Sequence, residues 1–68
     1  MSVFYRKLGE KIKKTRKSLG LSQERVAKSL GINRVAISQI ESGDRKITAE
    51  EVARLSKILN VPSNILLG

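Results

Sequence analysis

The sequence predicts an all-α domain of five short helices, and three observations lead there. Apolar residues recur at three- and four-residue intervals along the chain, and no segment sustains the alternation a half-buried strand needs. Glycines and short polar residues divide the chain into helix-length pieces. Ser22, Asn33 and Thr48 stand where N-caps belong, and Gly20, Gly31 and Gly43 where helices stop. The third observation is what 68 residues lack: without cysteine there is neither a disulfide framework nor a thiolate metal site, so packed helices must supply the stability.

The elements follow in order. Phe4, Leu8, Ile12 and Leu19 keep helical spacing and predict a first helix over about residues 2–18. Gly9 falls inside it, where glycine costs about 1 kcal/mol against alanine and is usually kept for close packing. Ser22 caps a second helix reaching about Ser29, with Val26, Ala27 and Leu30 inward. Asn33 caps a third helix to about Glu41, with Ile37 and Ile40 inward. Thr48 and Glu51 form a capping-box pair that opens a fourth helix, whose apolar face is Val52, Leu55, Ile58 and Leu59. Pro62 suits the first turn of a short fifth helix holding Ile65, Leu66 and Leu67. The chain 1–68 reads as one domain.

Charge narrows the partner. Fourteen Lys and Arg against six Asp and Glu leave +8, which implies an anionic partner, nucleic acid before an acidic membrane or protein. The excess is uneven. Residues 1–20 carry seven basic side chains and one acid, whereas residues 48–68 carry two of each sign. One Phe and one Tyr offer no aromatic platform for single strands. The longest apolar runs are three residues, far short of a membrane span, so a soluble cytoplasmic protein is expected. The chain has no histidine, and its acids show no paired-carboxylate or metal-ligand pattern, so no enzyme, metal or cofactor is expected.

The second and third helices are separated only by Leu30, Gly31 and Ile32, which is the spacing of a helix-turn-helix. Ala27 is small where two helices cross, Gly31 supplies a turn with positive φ, and Ile32, Ile37 and Ile40 fill the corner. At about 100° per residue, Ile37 and Ile40 inward leave Val35, Ser38, Gln39 and Ser42 outward, with Arg34 at the edge of that arc.

The stretch Ser22-Gln-Glu-Arg-Val-Ala-Lys-Ser-Leu-Gly-Ile-Asn-Arg-Val-Ala-Ile-Ser-Gln-Ile-Glu-Ser-Gly43 resembles the lambdoid phage repressor and Cro family of transcriptional regulators, also called the XRE family. The likeness continues through Asp44-Arg45-Lys46, the Thr48–Leu59 segment and Asn60-Val61-Pro62. It implies a five-helix fold, double-stranded DNA as ligand, and a homodimer, commonly a repressor, on a palindromic operator. Base contacts fall on Arg34, Val35, Ser38 and Gln39, positions the family uses. Val35 serves either a thymine methyl or a partner subunit. Phosphate contacts fall on Gln23, Asn33, Ser42, Arg45 and Lys46; the family places a glutamine at the start of the second helix, where free amides favour an anion.

Arg16 continues the apolar ladder of the first helix and needs a partner. The family pairs this position with that of Glu41, which predicts an Arg16–Glu41 salt bridge. Val61, Ile65, Leu66 and Leu67 either form a dimer interface, as that region often does in the family, or close the core of one subunit. Arg6, Lys7, Lys13, Lys14 and Lys17 read as a solvated basic face that adds long-range attraction. The competing reading is a basic interaction module that uses this amphipathic helix on an acidic protein or membrane. The helix-turn-helix spacing would then have no purpose. No small-molecule site is evident.

Overall fold

Each of the three middle helices begins at a side chain that satisfies an otherwise free backbone amide. In the computed structural model, which describes residues 2–68, the helices are α1 (Val3–Ser18), α2 (Gln23–Leu30), α3 (Arg34–Ser42), α4 (Ala49–Ile58) and α5 (Ser63–Leu67). No strand occurs among the described residues. The Ser22 hydroxyl accepts the Arg25 amide at 3.0 Å, and the Asn33 side-chain oxygen accepts the Ala36 amide at 2.8 Å. Thr48 and Glu51 bond reciprocally at 2.9 and 3.1 Å, so α4 opens on a full capping box.

The boundaries differ by a residue or so from the sequence expectation. Leu30 belongs to α2, so the turn is Gly31, Ile32 and Asn33. Ser42 belongs to α3, and Pro62 caps α5 from outside. Gly31 sits at φ +80° and Gly43 at φ +82°, the left-handed region that an L side chain enters only with strain.

One apolar cluster joins the helices: Leu8 and Ile12 of α1, Val26, Ala27 and Leu30 of α2, Ile37 and Ile40 of α3, Val52 and Leu55 of α4, and Leu66 of α5. Leu59, just past α4, completes it, and Ile47 pins the α3–α4 loop into it. Two members of the expected ladder in α1 point out instead: Phe4 is 51% exposed and Leu19 49% exposed. Tyr5 takes the inward slot one residue later, four before Gly9, while the Phe4 ring lies edge-on to Tyr5 with centroids 5.2 Å apart. Leu19 lies beyond the last turn of α1, and Leu21 turns in against the core in its place. Ile58, expected on the apolar face of α4, is only partly buried at its edge.

α1 and α3 touch backbone to backbone. A Cβ at Gly9 would overlap the Ile40 carbonyl oxygen and sit 2.6 Å from that of Glu41. Gly43 does the same for the other end of the contact, since a Cβ there would fall 2.7 Å from the Arg6 Cα. These absences let the two helices approach, and the approach brings Arg16 to Glu41.

Gly9→Ala tests the contact. Alanine gains about 1 kcal/mol of helix propensity, but the overlap with α3 must be relieved by moving backbone, and overpacking costs about 1–3 kcal/mol. The variant is expected to unfold at lower urea than the parent with an unchanged slope. A midpoint at or above the parent's would mean that α1 and α3 separate freely.

Candidate nucleic-acid interface

The outward side of α3 is exposed and polar because its inward side is not. Ile37 and Ile40 are fully buried, and Ala36 joins them, which turns Arg34, Val35, Ser38, Gln39 and Ser42 to solvent. Val35 is 58% exposed, an apolar side chain kept in water on an otherwise polar arc. An α-helix with its side chains is about 10–12 Å across, which fits a major groove about 12 Å wide.

A chain of charged and polar groups runs along α3, from Glu41 in its last turn to Arg34 in its first. Arg16 and Glu41 are both buried, and the guanidinium grips the carboxylate with two N–H groups at 2.6 and 3.1 Å. A further Arg16 N–H donates to the Leu21 carbonyl at 2.8 Å, which ties the α1–α2 connection to the same pair. The Gln23 amide nitrogen donates to Glu41 at 3.0 Å, and its oxygen accepts from Arg34 at 3.3 Å. Charge fixes that orientation: turned over, the amide would set its oxygen against the carboxylate and its N–H groups against the guanidinium. No buried side-chain nitrogen or oxygen among the described residues lacks a partner.

The loop after α3 carries the other polar groups. The single Ser42 hydroxyl proton is shared between the Asp44 carboxylate at 2.8 Å and the Gln39 carbonyl at 3.1 Å. Arg45 lies 3.6 Å from Glu51, whose other carboxylate oxygen caps α4, so one acid holds the loop and starts the helix. Lys46 is exposed and stands in no ion pair among the described residues.

The expected positions thus fall on one surface in part. Arg34, Val35, Ser38 and Gln39 share the exposed arc of α3, with Gln23 at the start of α2 and Ser42, Arg45 and Lys46 beyond. Asn33 is occupied as a cap. The candidate dimer residues do not stay together. Leu66 is 1% exposed and belongs to the core, because the short α5 needs one anchor. Ile65 and Leu67 flank it about 200° apart on the helix, and Val61 is partly buried against the core. Sequence reasoning missed the bond between Gln23 and Glu41. Three polar residues far apart in the chain meet there, and each has a sufficient local role without the others.

An exposed polar helix following a tight glycine turn, on a small helical core, is the DNA-binding fold of transcriptional regulators. The chain belongs to the HTH_3 helix-turn-helix family, whose model matches residues 12–66. It is 42% identical over 62 residues to the HTH-type transcriptional regulator DicA of Escherichia coli, covering 90% of this chain and 46% of DicA. The c2 repressor of phage P22, solved in complex with a synthetic operator, is 37% identical with a TM-score of 0.81, covering 88% of this chain and 91% of that one. The restriction-modification controller C.AhdI of Aeromonas hydrophila superposes with a TM-score of 0.86 at 27% identity, covering 91% and 90%. The chain spans less than half the length of several curated relatives: 46% of DicA and 40% of a regulator from Sinorhizobium medicae. These relatives are transcriptional regulators, not enzymes. No helix is long and apolar enough, among the described residues, to cross a membrane.

Arg16→Met is expected to destabilise the domain by about 3–5 kcal/mol, because it leaves Glu41 buried without its cation. Arg16→Met combined with Glu41→Leu should recover most of that loss, since the uncompensated charge is then gone. Urea denaturation of the two variants checks this; a double variant no more stable than the single would refute it.

Proposed function

We propose that the chain is a sequence-specific reader of double-stranded DNA that lays α3 in the major groove and represses transcription as a homodimer on a palindromic operator. The observation that carries this reading is the exposed arc of α3, made of Arg34, Val35, Ser38, Gln39 and Ser42 with no acid among them, flanked by Gln23 on one side and Arg45 and Lys46 on the other. A relative that is a repressor, the c2 protein of phage P22, solved with a synthetic operator, supports it.

Roles follow from side-chain chemistry. Arg34 forks onto guanine O6 and N7, Gln39 pairs with the N6 and N7 edge of adenine, and Ser38 bonds to whichever base it meets. Val35 meets thymine methyl groups, which explains an exposed valine on a polar arc. Gln23 holds the Arg34 guanidinium before DNA arrives, so less side-chain freedom is lost on binding. Lys46 and Arg45 hold phosphates, Arg45 by exchanging Glu51 for the DNA backbone. Ser42 and Asn33 add neutral phosphate contacts at the two ends of α3. With two subunits joined through the Ile65 side of α5, the half-sites stand about one helical turn apart, roughly 10 bp.

Selection from a randomised duplex library at near-physiological salt tests the reading. An inverted repeat with that spacing is the expected result; a single enriched site would keep the reader and remove the dimer, and no enrichment would refute sequence-specific reading. On the selected duplex, Arg34→Ala should cost about 1–3 kcal/mol and relax one base position. Lys46→Ala should weaken every sequence alike and reduce the salt slope by about 1.

A further inference from the structure

The basic side chains of α1 look like one solvated face in the sequence, but the fold divides them. Gly9 faces α3, since a Cβ there would overlap the backbone of Ile40 and approach that of Glu41. At about 100° per residue, Arg6 and Lys13 lie within about 60° of Gly9, on its solvent side. Lys7, Lys11 and Lys14 lie about 140–160° away from it. Lys7 and Lys11 accordingly line a groove with Phe4 and Leu67, where α1 meets α5. One flank of the basic face borders the recognition helix, and the other borders α5.

Arg6 is placed further by a second contact. Its backbone lies against Gly43, the left-handed residue that closes α3, close enough that a Cβ on Gly43 would come within 2.7 Å of the Arg6 Cα and 2.9 Å of its nitrogen. Gly43 follows Ser42 and precedes Arg45 and Lys46 by two and three residues. Three cations from two elements therefore gather at one end of α3. Of the acids near them, Glu51 lies against Arg45, Asp44 accepts from the Ser42 hydroxyl and keeps its charge, and Glu10, one turn along α1 from Arg6, stands in no ion pair among the described residues. Arg6 is exposed and stands in no ion pair or side-chain hydrogen bond among the described residues.

We infer that Arg6, with Lys13 two turns further along the same flank of α1, forms a second phosphate-gripping edge, which binds the DNA backbone beside the C-terminal end of α3. This rests on the reading that α3 enters the major groove. The ligand is the phosphodiester backbone. Arg6 binds it bidentately through its planar guanidinium, and it carries no sequence information. A cation that only adds to the long-range field would act equally from either flank of α1, whereas a phosphate contact releases counterions only where it is made.

Neighbouring residues make the test. Arg6→Gln and Lys7→Gln remove the same charge one residue apart, on opposite flanks. The affinity of each for the selected duplex and for an unrelated duplex is measured between 50 and 300 mM salt, on the order of the range over which such contacts are resolved. Arg6→Gln is expected to weaken both duplexes by roughly fivefold or more and to lower the salt slope by about 0.9. Lys7→Gln should leave the slope as it is, and Arg6→Lys should restore most of it. Equal slopes for the two glutamine variants overturn the proposal while leaving groove reading intact. A parent chain that prefers no duplex overturns the groove reading itself, and this proposal with it.

Discussion

Arg16 and Glu41 are removed from water together, and much of the molecule is arranged around that fact. Burying either charge alone would cost several kcal/mol, and the attraction between them repays this only when every remaining donor and acceptor finds a partner. The fold supplies them: Leu21 gives a carbonyl to the guanidinium, and Gln23 gives an amide to the carboxylate. Gly9 is part of the same arrangement, because only a residue without a side chain lets α1 lie close enough to α3 for the fork to close. Three helices and one connection are thereby fixed by a single pair.

The pair also reaches the surface. Glu41 orients the Gln23 amide, and the amide oxygen holds the Arg34 guanidinium in the first turn of α3. An interaction that secures the interior of the domain therefore also positions an exposed cation in the first turn of α3. Under the proposed reading, stability and recognition share atoms here, and substitutions at Gln23 would act on both.

Much of this was legible from the sequence, and the reasons differ by residue. The caps at Ser22, Asn33 and Thr48 are local chemistry that a few neighbouring residues decide, and the left-handed turn at Gly31 is likewise a local demand. Arg16 could be placed because it interrupts an apolar ladder. What resisted reading was decided by distant parts of the chain. Phe4 and Leu19 keep helical spacing, yet no element covers them, while Tyr5 and Leu21 meet the core. Leu66 and its neighbours form an apolar run in which only packing selects the anchor. Ile47 lies in a loop with no periodicity to mark it. Gln23 had a sufficient role as the first residue of α2, and its bond to Glu41 spans 18 positions. The division of the basic face of α1 depends on which neighbour each flank meets.

The fifth helix is five residues long, too short to persist in water by itself. It exists because Leu66 is seated in the core, and so the two side chains beside Leu66 are displayed only while the core is assembled. A partner that covered Ile65 would thus engage the folded chain and have nothing equivalent to hold in the unfolded one. By mass action such a partner would raise the melting temperature, and if it were a second copy, that temperature would climb with protein concentration. Assembly and folding would then be two readings of one equilibrium, joined through a single leucine.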